Sequence, residues 1–137
     1  MTLHVEVVSP ERILWTGDAD WVFARTVGDG EIAFATGHAP FVGALDIANV
    51  VVRPPEGTDQ LIAVHGGFVE VSHDRVTVLS DLAELQDQID VPRAERAKEA
   101  ALAAVRLDAD DEGAATALRR AELRLQVAAG LVAYGHH

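Results

Sequence analysis

Ile89-Asp90-Val91-Pro92-Arg93-Ala94 is the stretch at which this chain changes character. Residues 1–90 hold 14 Val and no Lys, whereas 14 of the last 47 residues are Ala and only 4 are Val. β-Branched side chains suit a pleated, half-buried surface, and Ala is the best helix former. The switch therefore divides the chain into a β module, residues 1–88, and an α-helical module, residues 89–137. Asp90 can cap the first helix, with Pro92 tolerated in its first turn. The same hexapeptide sets a carboxylate and a guanidinium three residues apart, which makes it the best candidate for chemistry in the chain.

Downstream of the switch, Val91, Ala94, Ala97, Ala101, Ala104 and Val105 follow a 3.6-residue period, and the acidic run 108–112 interrupts it. Its carboxylates suit the start of a second helix, whose stripe is Ala114, Ala117, Leu118, Ala121, Leu125 and Ala128. Two short helices with Ala-lined seams and a short connection predict an antiparallel hairpin. Ala seams bury little area, so at about 25 cal/mol per Å² the hairpin is expected to be held weakly against its own sheet.

Upstream, Leu3, Val5 and Val7 alternate with period two. Further strands read at 19–27, 31–35, 41–45, 49–53, 60–64, 68–71 and 76–79, separated by Gly- and Pro-containing turns. That spacing predicts an antiparallel β-sandwich rather than a βαβ fold.

Charge divides at the same joint. Residues 1–90 carry 15 acidic groups against 4 Arg, and residues 91–137 carry 7 of each sign, so the whole formal charge of −11 belongs to the β module. An acidic surface repels phosphate backbones and anionic lipid, which argues against nucleic acid as a partner. There are no cysteines, which removes disulfides, thiolate chemistry and Cys-ligated metals. No apolar run approaches the roughly 20 residues of a membrane span, and the first residues lack the pattern of a signal peptide. A soluble protein without direct membrane insertion is expected.

Gly28-Asp29-Gly30-Glu31-Ile32-Ala33 matches a dinucleotide fingerprint, but a strand follows where a helix N-terminus would have to receive the pyrophosphate. Neither a G-x-x-x-x-G-K-[ST] loop nor a G-x-S-x-G elbow occurs. His38, His65 and His73 have no metal-ligand spacing, and no metal or required cofactor is expected. Arg120 and Arg124 share a helix face. If the hairpin folds back, Glu84, Asp90, Arg93, Arg120 and Arg124 gather near the joint. Guanidinium groups bind phosphates bidentately, and an Asp can accept from an adenine amino group or a ribose hydroxyl. That is a nucleotide site in chemical outline, of low specificity by spacing alone.

The chain resembles the epsilon-subunit family of the rotary, proton-translocating F-type ATP synthase. The resemblance rests on Val8-Ser9-Pro10-Glu11, Gly17-Asp18-Ala19-Asp20, Gly30-Glu31-Ile32, Gly37-His38-Ala39-Pro40, Gly66-Gly67-Phe68-Val69-Glu70-Val71 and Val76-Thr77-Val78-Leu79. It implies a ten-stranded β-sandwich of two five-stranded sheets followed by a two-helix antiparallel hairpin. It also implies a noncatalytic, peripheral place in the central stalk at the cytoplasmic face of the bacterial plasma membrane. The implied partners are the gamma subunit, the ring of c subunits and, for an extended hairpin, the catalytic alpha and beta subunits. Glu31, Gly37, His38, Ala39 and Pro40 are the contact residues carried over, with Glu31 and His38 at the lower rim of the sandwich.

In that family an I/L-D-x-x-R-A motif marks ATP binding by the folded hairpin, and Ile89, Asp90, Arg93 and Ala94 are similar to it at every defined position. Glu84 falls where the family has an acidic contact, and Arg120 and Arg124 match two arginines of the second helix. ATP is thus implied as a regulatory ligand, with the hairpin restraining ATP hydrolysis. One further basic contact falls on Ala100, which implies weak binding. The competing class is a free-standing nucleotide or small-ligand sensor of the same fold. A hydrolase is the weakest class, since no nucleophile, base and orienting acid can be assembled.

Overall fold

The computed structural model describes residues 1–131, so the last six positions of the expected helical module, 132–137, lie outside the described residues. The strands are β1 Leu3–Val8, β2 Ile13–Ala19, β3 Trp21–Thr26, β4 Gly30–Ala35, β5 Phe41–Arg53, β6 Gln60–Ser72, β7 Arg75–Leu79 and β8 Ala83–Leu85. A single 3₁₀ turn, Gln86–Gln88, leads to helices α1 Val91–Leu107 and α2 Glu112–Ala128. The hydrogen-bonded order is β2-β1-β7-β6-β5-β3-β4, with β8 added to β6.

Two expectations are corrected here. The described residues form eight strands in one continuous sheet, where the resemblance implied ten in two. The reason lies in β5 and β6, each 13 residues long, which pair along their whole length from Phe41↔Val71 to Val52↔Gln60. Each was read as two strands because its alternation resets midway. In β6 the core-facing residues are Ile62 and Val64, then Val69 and Val71; in β5 they are Leu45, then Val50 and Val52. Gly66 at φ 85° and Gly67 at φ 124° produce the reset, since an L side chain rarely enters that region. Second, the sheet is not wholly antiparallel. β1 and β7 run parallel, His4↔Arg75 to Val8↔Leu79.

The bend at the two glycines folds the sheet over one core, in which Leu3, Val5, Val22, Phe34, Val50, Ile62, Val69 and Val76 are buried. No helical residue belongs to that core. A second cluster lies on the outer face, where Phe23, Val51, Leu61 and Ala63 of the sheet meet Leu123 and Val127 of α2, with Ile89 packed beside them.

The helices begin where their caps dictate. Asp90 Oδ1 accepts from the Arg93 backbone N–H at 3.1 Å, and Asp111 Oδ1 from that of Ala114 at 3.0 Å. Ala94 and Ala101 of α1 and Ala114 and Ala121 of α2 are buried, which is part of the expected small-residue seam; Val91, Ala97 and Ala117 of the expected stripes are exposed. The expected stripes omit Leu123 and Val127. These turn away from α1 to the sheet, so α2 lies between the sheet and α1 and has two buried faces.

Gly67 should be irreplaceable. A Cβ there would collide with the Leu79 carbonyl oxygen and Ser80 Cα, whereas at Gly57, φ 95°, nothing lies within 4 Å. Gly67→Ala should therefore destabilise by about 2–5 kcal/mol, and Gly57→Ala by only about 1–2 kcal/mol. Urea midpoints of the two variants check this.

Candidate functional site at the sheet–hairpin joint

Strand alternation decides what α2 meets. Val50, Val52, Ile62 and Val64 face the core, so Ile47, Asn49, Val51, Leu61, Ala63 and His65 present the opposite face. Glu84 joins them, because β8 pairs Glu84 with Ala63. The floor under α2 is thus apolar toward Val51 and Leu61 and polar toward Asn49, His65 and Glu84.

Two ion pairs fasten α2 to this floor. Arg124 Nε donates to Glu84 Oε1 at 2.7 Å, and Arg119 Nη2 to Asp46 Oδ1 at 2.8 Å. Glu84 Oε1 also lies 3.1 Å from His65 Nε2. A carboxylate has no proton to give, so Nε2 donates and His65 Nδ1 is left as the acceptor. Burial pushes the His65 ring to titrate below its ordinary value, joined by the charges of Arg124 and Arg120 and opposed by the hydrogen bond and charge of Glu84. The ring is therefore neutral near pH 7. At Asp46, burial acts to raise the carboxyl, but the Arg119 hydrogen bond, the Ile47 N–H and the charges of Arg119 and Arg25 outweigh it and lower it.

Beside the Glu84–Arg124 pair opens a cavity of about 410 Å³, lined by Leu82, Glu84, Gln88, Asp90, Arg93, Ala94, Ala97 and Arg124. The fold thus brings five of the seven expected nucleotide-site residues to one place: Glu84, Asp90, Arg93, Ala94 and Arg124. The other two do not line it. Ile89 packs into the apolar cluster under α2, and Arg120 lies below the helix with its Nε buried. Ala100 is exposed. Among the described residues Arg93 forms no ion pair, which leaves its guanidinium available at the cavity. His65 is the participant that sequence reasoning missed. Its Gly66-Gly67 neighbours marked a turn, and nothing in the sequence indicated that Glu84 would be across from it.

The expected contact residues fall elsewhere. Glu31, paired with Arg25 at 2.9 Å, stands at the start of edge strand β4, and Gly37–Pro40 follow its end. They share an edge of the sheet rather than a single loop. Asp74 Oδ1 accepts from the Gly37 N–H at 2.8 Å, and the His38 ring stacks edge-on against Phe34 at 5.0 Å. A surface that the sequence did not announce crosses the outer face of β2, β1, β7, β6 and β5. Register aligns Ile13, Val8, Leu79, Phe68 and Ala44 in one row, with Val27 bonded to Ala44 and Val42 beside it. Of these, Ile13, Val27, Val42, Phe68 and Leu79 are exposed. No described group of His, Asp and Glu could hold a metal ion, and no described helix is long and apolar enough to cross a membrane.

The fold is thus a β-sandwich carrying a helical hairpin that two ion pairs hold against it. The family model "ATP synthase, Delta/Epsilon chain, beta-sandwich domain" matches residues 2–86. The ATP synthase epsilon chain of Streptomyces griseus is 45% identical over 93% of this chain and 95% of that one. That of Halalkalibacterium halodurans is 44% identical over 93% and 97%. Among solved structures, a chain of the Euglena gracilis mitochondrial ATP synthase superimposes with a TM-score of 0.77 at 22% identity, covering 93% of this chain and 81% of that one. The chain belongs to the ATP synthase epsilon-chain family, whose members are noncatalytic subunits of the synthase complex and not enzymes on their own.

The Asp46–Arg119 pair generates a pH prediction. A carboxyl lowered by its partner contributes stability above its free value of about 3.9 and loses it as pH falls through the lower, docked value. In a carboxyl NMR titration Asp46 should titrate below the ordinary Asp value, and Arg119→Ala should move the midpoint upward.

Proposed function

We propose that this chain is the central-stalk subunit that joins the c ring to gamma, and that its hairpin is a brake on ATP hydrolysis which bound ATP holds in the docked position. The joint cavity carries the ATP reading. It gathers two arginines and two carboxylates beside Ala94 and Ala97, between the sheet's last strand and both helices. Arg93 and Arg124 supply cationic N–H groups for phosphate oxygens, while Glu84 and Asp90 supply acceptors for the base or sugar. A ligand touching all four binds only the docked hairpin, and so shifts the population toward it by no more than its differential affinity.

Docking of the sandwich onto gamma is supported by the apolar row Ile13–Leu79–Phe68–Val27, and contact with the c ring by the edge around β4. The extended hairpin would present Arg119, Arg120 and Arg124 to acidic segments of the alpha and beta subunits. In this role the chain works as a peripheral protein at the cytoplasmic face of the bacterial plasma membrane.

Calorimetry on the isolated chain should find one weak ATP site, and Arg93→Ala should weaken it by about 1.5–3 kcal/mol, the scale of a charge-assisted hydrogen bond. Absence of binding at millimolar ATP would sink the ligand reading and spare the stalk reading. In the assembled enzyme, deleting residues 91–137 should raise ATP hydrolysis at low ATP. Unchanged hydrolysis would count against the brake.

The partner face has its own test. Phe68→Asp together with Leu79→Asp, both exposed in the free chain, should leave the fold stable and abolish copurification with gamma. Retained copurification would move the gamma interface elsewhere.

A further inference from the structure

Beneath α2, three buried side-chain nitrogens lack a hydrogen-bond partner: Asn49 Nδ2, His65 Nδ1 and Arg120 Nε. Unpaired buried groups cost about 1–3 kcal/mol each, so this strip weakens the docking of the helix that covers it. His65 lies at its centre. The ring is wholly inaccessible, with its side chain 0% exposed. It faces Glu84 from β8, and Arg124 and Arg120 from α2. With Nε2 donating to Glu84, a second proton on the ring would place an imidazolium beside the Arg124 and Arg120 guanidiniums, of which only Arg124 pairs with Glu84.

We propose that His65 is a proton-sensitive lock on the hairpin: neutral, it lets α2 close over the sheet with Glu84 shared between His65 and Arg124; protonated, it drives α2 off. The physical reason is the cluster itself. The Glu84 carboxylate compensates Arg124 at 2.7 Å. A second cation at His65, with Arg120 close by, exceeds what one carboxylate can balance in a site closed to water. Lifting α2 removes both guanidiniums and returns the ring to solvent.

Linkage fixes the sign. In the docked form burial, joined by the charges of Arg124 and Arg120, makes His65 hold its proton less tightly than a free imidazole; lifting α2 would return the ring toward the free value, so the undocked form would bind more protons. Docking is strongest above the ordinary imidazole pKa of about 6.5 and weakens as pH falls from there toward the lower docked value. The other docking pair does not titrate in this window, because Asp46 is held below the ordinary carboxylate range. Acidification therefore releases the hairpin without any nucleotide, and the inference stands apart from the ATP reading although both use Glu84.

The full chain has no cysteine, so an Arg75→Cys, Ala115→Cys pair can report docking by energy transfer between β7 and α2, without nucleotide. The docked-to-undocked ratio should fall several-fold between about pH 7.5 and pH 5.5. In His65→Gln, whose amide still donates to Glu84 but does not titrate, the ratio should stay flat. A flat response in the parent chain, or the same slope in His65→Gln, would overturn the proposal. Should His65→Gln not fold, the His65 ring proton resonance in the unsubstituted chain decides. A midpoint below the ordinary imidazole value supports the lock, and one at or above it refutes it.

Discussion

The left-handed backbone at Gly66 and Gly67 is the constraint on which the rest of this structure depends. It lets β6 pass through the sheet's bend without losing its partner, since Leu45↔Gly67 and Ile47↔His65 pair on either side of it. It also changes which residues face inward. Had the alternation continued unbroken from Val69 and Val71, His65 would point into the apolar core, where an ionisable ring has no partner. The reset turns it outward instead, onto the face that α2 covers and opposite the strand that carries Glu84. Ser80 secures the same corner by donating to the Gly66 carbonyl at 2.7 Å. Core packing and the polar floor beneath the hairpin are thus two consequences of one backbone feature.

The hairpin's attachment is a different kind of interaction from the sandwich's own cohesion. Only Leu123 and Val127 of α2 join the sheet's outer apolar cluster, and at about 1.5–3 kcal/mol per buried aliphatic side chain this is a small anchor. The exposed Arg119–Asp46 pair adds little, because solvent and salt screen it. The half-buried Arg124–Glu84 pair adds more specificity than strength, and unpaired nitrogens beneath the helix subtract. The acidic β module and the neutral helical module therefore meet through a few opposed charges, an arrangement sensitive to salt in a way the Val-rich core is not.

Much of this was legible in the sequence, for identifiable reasons. The start of α1 was legible because the Val-to-Ala switch and the Asp90 cap coincide there. The small-residue seam between the helices was legible in part, at Ala94, Ala101, Ala114 and Ala121; period alone also drew in Val91, Ala97 and Ala117, which are exposed. Leu123 and Val127 were not legible, because a two-residue face is too short to stand out beside that longer stripe. The strand reading failed in two ways: β5 and β6 were each split, since a reset of alternation looks like a turn in one dimension, and β2 and β8 were passed over. The cavity residues Glu84, Asp90, Arg93 and Arg124 were nameable from type and resemblance, but their joining to His65 is a product of register. A contact 19 positions apart in sequence leaves no local trace.

Glu84 decides how a nucleotide in the proposed cavity and a proton on His65 would interact. Arg124 uses only Nε on Glu84, and a guanidinium has five N–H donors, so its remaining donors could hold a phosphate while the Glu84 contact survives. A nucleotide would then tighten the Arg124–Glu84 clamp rather than compete with it. Its negative charge would also partly offset an imidazolium at His65. By reciprocity of linkage, a nucleotide that stabilises the docked hairpin must raise the acidity needed to release it. The cavity's four charged residues, Glu84, Asp90, Arg93 and Arg124, sum to zero, and the exposed Ala100 adds no cation. Phosphate charge in the proposed site would therefore be met by two guanidiniums alone.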